Sequence, residues 1–235
     1  DLSAGSFRTT ALVSAMSQKS RSTKIDVLTT TPNRYSSFVA KSQLSSKFGQ
    51  ANVKRVRLLL SGDSLYSQVI NFAYFALVAI LAVRGKKYDL VFATSSRLMT
   101  AVLGAWIAVS LKCKLYLDIR DIFIDSMNSL FFGGLIKPIV WGFGVLESWA
   151  FNRATSINLV SPAYLEHYKN LYPKQRFTSY TNGIDTEFLS AFEKNLKYQK
   201  KTEPYIVLYA GNFGLAQALD KIIPDLAIKS LGHLK

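Results

Sequence analysis

The sequence predicts an α/β fold, a doubly wound parallel sheet with helices on both faces. Three observations carry that prediction. Short apolar runs alternate along the chain with longer apolar or amphipathic stretches, the pattern of buried parallel strands joined by crossover helices. Apolar residues make up 49% of the 235 residues and charged residues only 19%, so a sizeable core is available and intrinsic disorder is excluded. Turn chemistry separates the runs, as at Pro32-Asn33 and Asn182-Gly183.

In chain order, Ala4-Gly5-Ser6 is a small-residue turn feeding an amphipathic helix from about Arg8 to Ser17, with Leu12, Val13 and Met16 inward. Ile25–Thr30 is a short apolar strand, and residues 33–50 are a polar, Ser-rich loop with some helix. Val53–Leu60 alternates Lys54, Arg55 and Arg57 with apolar residues and reads as a strand. A helix follows from Leu65 to about Arg84. Its apolar run, Val69 to Val83, is interrupted only by Asn71; it is shorter than the ~18 residues of a bilayer span and is expected to be a buried helix. The pattern then repeats. Leu90–Thr94, Leu115–Ile119, Ile157–Val160 and Phe177–Thr181 are strands. Leu98–Leu111, Pro138–Asn152 and a stretch from Pro162 to about Leu171 are helices, Pro being favoured in a first turn. Residues 1–189 thus form one Rossmann-like domain. Lys194, Lys197, Lys200 and Lys201 before Pro204 mark 190–204 as an exposed linker. Tyr205–Ala210, the turn Gly211-Asn212-Phe213-Gly214 and a helix from Leu215 make 205–235 the first βα unit of a second Rossmann-like domain.

A single cysteine, Cys113, excludes an internal disulfide and a cysteine-based zinc site, and two histidines, His167 and His233, make a histidine-rich metal site equally foreign to the chain. The formal charge is +14, with an excess of +8 in residues 1–59 and +4 in 60–120. A positive field concentrated at the front favours an anionic partner such as nucleic acid, an acidic membrane face or a phosphorylated substrate. A solubilising surface is the plainer explanation.

Ligands of a doubly wound sheet bind beyond the carboxyl ends of its strands. Four segments fall there. Ala4-Gly5-Ser6-Phe7-Arg8 lets backbone N–H groups approach phosphate, with Arg8 adding charge. In Ala93-Thr94-Ser95-Ser96, hydroxyls can bind sugar or phosphate, or simply cap the next helix. Asp118-Ile119-Arg120-Asp121 puts three charges where an apolar strand ends: either a structural ion-pair knot around Arg120 or an acceptor-binding, acid/base cluster. Gly211-Asn212-Phe213-Gly214 with Gln217 is a strand–turn–helix anion cradle.

Taken together, Asp118-Ile119-Arg120-Asp121, Val160-Ser161-Pro162, Thr181-Asn182-Gly183-Ile184-Asp185 and Tyr209-Ala210-Gly211-Asn212-Phe213-Gly214-Leu215-Ala216-Gln217 resemble a bacterial sugar-transferase group in order and spacing. The group is glycosyltransferase family 4, of the GT-B fold, in particular its O-antigen and capsule members such as N-acetylfucosaminyl transferases. The resemblance covers most of residues 1–230. It implies two Rossmann-like domains, the amino-terminal one taking a polyprenyl-diphosphate-linked saccharide at the cytoplasmic membrane face and the other binding a nucleotide sugar. Transfer then proceeds with retention, in surface polysaccharide and lipopolysaccharide biosynthesis. On that implication Asp121 and Arg120 are catalytic, Ser95 and Asp118 bind acceptor, and Gly5, Arg8, Gly211, Asn212, Gly214 and Gln217 bind donor. The nucleotide sugar is a co-substrate, and neither a cofactor nor a metal is expected. Two departures stand beside the resemblance: no pair of glutamates separated by seven residues, and no strand ahead of Gly5. The chain is therefore expected to be the acceptor part of a larger enzyme, inactive alone.

Leu130 to Trp149 is rich in large apolar residues around Lys137. It suits an interfacial element touching lipid or a helix packed in the core or against another domain. The positive field favours peripheral attachment to the inner face of the cell membrane. The rival class is a non-enzymatic basic protein that binds nucleic acid or anionic lipid. No Arg-rich run or aromatic RNA-binding signature supports specific nucleic-acid binding.

Overall fold

A computed structural model of the protein describes residues 4–20, 22–31, 44–62, 64–122, 137–184, 189–190, 208–209 and 218–229. The chain divides into two compact units, Asp1–Gly183 and Ile184–Lys235. The first is α/β, with a three-stranded mixed sheet and a four-stranded parallel sheet.

Helix α1 (Ala4–Lys19) starts earlier than its amphipathic pattern suggests, so Gly5 and Ser6 belong to its first turn and not to a loop before it. Among its described side chains Val13 is buried. Strand β1 (Ile25–Thr30) has the predicted limits. Strand β2 (Ser45–Phe48) lies where a loop was expected and forms an antiparallel hairpin with β3 (Ala51–Val56). Gly49 permits the two-residue connection with φ +58°, a value that L side chains rarely adopt. β3 also pairs in parallel with β1, from Ile25 opposite Ala51 to Thr30 opposite Val56.

Helix α2 (Leu65–Val83) opens on an N-cap in which the Ser64 hydroxyl accepts from the Ser67 N–H. It is not the buried helix its hydropathy suggests, and its 19 residues are long and apolar enough to cross a membrane by length and composition. Only Ser67, Asn71 and Ala79 are buried. Asn71, the one polar break in the apolar run, accepts from the Leu59 and Leu60 amides and donates to the Leu60 carbonyl. It satisfies the backbone of an irregular segment beyond the end of β3.

The second sheet is parallel in the order β4 (Leu90–Ser95), β5 (Lys114–Ile119), β6 (Ser156–Leu159), β7 (Phe177–Ser179). Its connections are α3 (Leu98–Leu111), a segment ending in α4 (Lys137–Arg153), and α5 (Ala163–Leu171), for which Pro162 is the N-cap. Alternation splits the strands between two faces. Leu115, Leu117, Ile119, Ile157 and Leu159 join α3, α4 and α5 in one core with Ala105, Phe151 and Tyr168. On the opposite face, Phe92 and Tyr116 stack with centroids 5.2 Å apart.

The single parallel sheet expected from sequence is thus two sheets. Among the described residues, β1 is hydrogen-bonded along one edge only, to β3, and β4 along one edge only, to β5. Every β1 residue is at least partly exposed, whereas β5 and β6 are mostly buried. Side chains link the two: Asp26 of β1 accepts from Tyr88 (2.7 Å) and pairs with Lys86 (3.4 Å), just before β4.

Gly104 sets the approach of α3 to the sheet. A Cβ there would lie 2.6 Å from the Ala93 Cβ. Gly104→Ala is therefore expected to destabilise the fold by about 1–3 kcal/mol through overpacking. Gly142→Ala, in α4 with open space around it, is expected to be neutral or stabilising by up to about 1 kcal/mol. Urea midpoints of the two variants check the contrast.

In the second unit, helix α6 (Leu219–Lys229) contains Pro224 and has no buried residue. Most of the expected strand Tyr205–Ala210 and the turn 211–217 lie outside the described residues.

Candidate functional site at the carboxyl edge of the parallel sheet

Parallel pairing brings the carboxyl ends of β4 to β7 to one edge, with Thr94 opposite Asp118 and Asp118 opposite Asn158. Three polar side chains therefore stand in a row on the face away from the core. Arg8, in the second turn of α1, closes on them. Its Nε and Nη2 donate to the two Asp118 oxygens at 2.9 and 2.8 Å, a bidentate ion pair. Nη1 and Nη2 also donate to the Thr181 and Tyr180 carbonyls, at 2.9 and 3.0 Å.

The remaining capacity of Asp118 is filled by the Thr94 hydroxyl (2.7 Å) and the Asn158 amide (2.8 Å). The Asn158 carbonyl in turn accepts from the Tyr180 N–H (2.8 Å) and the Thr178 hydroxyl (3.1 Å), fixing which way its amide points. Burial pushes the Asp118 carboxyl up, but bonds from Arg8, Thr94 and Asn158, with the Arg8 charge, outweigh it and hold the carboxyl below its ordinary range. The same bond raises Arg8 further, against the opposing effect of burial.

This arrangement is a tether. Among the described residues, four donations engage Arg8, using four of its five N–H groups. Arg8 thereby ties the second turn of α1 to the strand ends. The first turn includes Gly5, and the leading N–H groups of a helix lack partners within it. Ser95 ends β4 opposite Ile119. Arg120 follows β5 half-buried, and Asp121 is exposed beside it. Backbone placement thus brings Ser95, Asp118, Arg120 and Asp121 to one edge, and the Arg8 side chain reaches that edge from α1. Asp118 takes its guanidinium partner from Arg8 and not from its sequence neighbour Arg120. Gly211, Asn212, Gly214 and Gln217 lie outside the described residues.

Sequence reasoning did not single out Asn158, Thr178 or Tyr180. Asn158 had a signal: one amide within the apolar strand Ser156–Leu159, a residue that must be paired if buried.

A separate concavity of about 460 Å³ lies against α4 and α5, walled by Val140, Trp141, Val145 and Leu171 around the buried Glu147. Tyr172 donates to Glu147 Oε1 at 3.0 Å, and burial with that carboxylate pushes the phenol well up. Ile122, next to Asp121, reaches its wall.

No protein-family profile matches the sequence, and no curated protein is significantly similar to it.

Proposed function

We propose that the chain is the acceptor-binding, Rossmann-like part of a GT-B glycosyltransferase. It would move a sugar from a nucleotide sugar to a polyprenyl-diphosphate-linked saccharide, with retention, at the inner face of the cell membrane. The observation that carries this reading is the ion pair that ties the amino-terminal half of a helix to parallel strand ends, beside Arg120 and Asp121. Helix N-termini in that position suit phosphate groups. Crevices beyond strand carboxyl ends are where sheets of this kind bind ligands.

The roles follow from the chemistry of the groups. First-turn N–H groups around Gly5 face the donor diphosphate, and Arg8 positions them through Asp118. Ser95 hydrogen-bonds the acceptor saccharide. Arg120 holds the acceptor diphosphate with charge-assisted bonds. Asp121 takes the proton of the attacking hydroxyl as that oxygen bonds to the anomeric carbon from the same face that the nucleoside diphosphate leaves, which keeps the configuration.

Arg120→Ala in the natural gene product that carries these residues is expected to raise KM for the lipid-diphosphate acceptor by about 10–100-fold, the loss of one or two charge-assisted bonds. KM for the nucleotide sugar should change little. Initial-rate kinetics with each substrate varied in turn check this, and an unchanged acceptor KM would remove Arg120 from acceptor binding.

A further inference from the structure

Helix α2 has its polarity reversed. In a helix on the surface of a soluble fold, the apolar stripe faces the core and the polar stripe faces water. Here the buried residues are Ser67, Asn71 and Ala79, and the polar Asn71 faces the protein to bond Leu59 and Leu60. The outward ridge at i, i+4 spacing is Leu65, Val69, Ala73, Leu77 and Leu81, with Tyr66 beside it. Its large members are 55–72% exposed. No charged residue occurs anywhere in the helix.

Positive charge brackets this ridge. Arg84, Lys86 and Lys87 follow its carboxyl end, all exposed. At the other end, exposed Arg57 lies two residues before Leu59, which Asn71 binds to the second turn of the helix. A protein partner would ask for a polar rim and regular hydrogen bonds around an apolar centre. This ridge offers only the Tyr66 hydroxyl. An apolar face with cations at its two ends matches a bilayer surface, acyl chains below and anionic headgroups alongside.

We infer that α2 lies in the plane of an anionic membrane, its Leu65–Leu81 ridge immersed at the headgroup–acyl boundary and Arg57, Arg84 and Lys87 on lipid phosphates. The inference builds on the membrane-bound acceptor proposed above by naming the element that meets the bilayer. It rests independently on the exposed ridge of α2 and the cations that flank the helix.

The test is flotation of the full chain with vesicles of phosphatidylcholine, with or without phosphatidylglycerol. Binding is expected to need phosphatidylglycerol and to weaken with salt. Leu77→Ser/Leu81→Ser and, separately, Arg84→Glu/Lys87→Glu are each expected to lower partitioning by at least about tenfold. These side chains are exposed, so the far-ultraviolet spectrum should not change. In a Cys113→Ala/Val69→Cys chain, a nitrobenzoxadiazole label should shift to the blue on adding anionic vesicles, giving a readout that does not depend on the leucine variants. Three results would overturn the assignment: no vesicle binding, binding lost in Trp141→Ala but kept in both α2 variants, or a dimer that the leucine variants dissociate without affecting vesicle binding. Loss of sugar transfer with vesicle binding intact would count against the transferase and leave this assignment standing.

Discussion

Asp118→Asn is expected to destabilise the first unit by about 3–5 kcal/mol, the cost of breaking a buried ion pair from one side. The Asp118 side chain is 3% exposed, and every partner it has donates: Arg8 twice, Thr94 and Asn158. An asparagine must turn its NH₂ toward one oxygen position. In one orientation it meets Arg8 Nη2 and the Asn158 amide, in the other Arg8 Nε, so a donor always faces a donor. Arg8→Met should cost less, about 2–3 kcal/mol, because the carboxylate keeps two neutral donors and Arg8 is partly solvated. The double variant should lose less than the sum of the two, which a double-mutant cycle in urea measures. Additive losses would mean that the pair contributes little.

The same pair sets an acid limit. Because the folded state holds the Asp118 carboxyl below its ordinary range, its stabilisation is fully present above the unfolded value of about 4. It is lost as pH falls through the lower folded value. Urea midpoints of the native chain should therefore fall more steeply below about pH 4 than those of Asp118→Asn.

Asp121→Ala carries the second large effect, on turnover and not on folding. A positioned general base contributes about 10²–10⁴-fold to rate, and kcat in the natural gene product is expected to fall by that factor. Asp121 is exposed, so the unfolding free energy from urea titration should change by less than about 0.5 kcal/mol. Full activity in this variant would remove Asp121 from the mechanism; a stability loss like that of Asp118→Asn would make it part of the tether.

How much of this was legible in the sequence depends on whether the cause was local. β1 at Ile25–Thr30 and α3 at Leu98–Leu111 were readable to the residue, β1 because Pro32-Asn33 closes a short run around Val27 and Leu28, and α3 because it is a dense apolar run of helical length. β2 was not. Ser45-Ser46-Lys47-Phe48 has little intrinsic strand character, and its conformation comes from pairing with β3. The burial of α2 was misjudged because hydropathy records what a helix is made of and not which medium meets it. Asn71 was visible as a break in the run, but its task, bonding Leu59 and Leu60, is a tertiary fact.

The site divides in the same way. The charged ending of β5 marked the carboxyl edge correctly, since charges at the close of an apolar strand need partners. The partner of Asp118 lies 110 residues away in α1, a pairing that no local pattern encodes. Arg120 is nearer in sequence. Topology gave the carboxylate to Arg8, because parallel strands place β4, β5 and β6 side by side and α1 reaches the same edge.

The most direct test of the central claim is transfer itself. The natural gene product carrying these residues would be incubated with bacterial membrane lipids and a panel of radiolabelled nucleotide sugars, and the lipid fraction counted. Label from one nucleotide sugar should pass into a diphosphate-linked lipid with its anomeric configuration retained, and Asp121→Ala should abolish the signal. No transfer from any donor, together with tight sequence-selective binding to nucleic acid, would contradict the account.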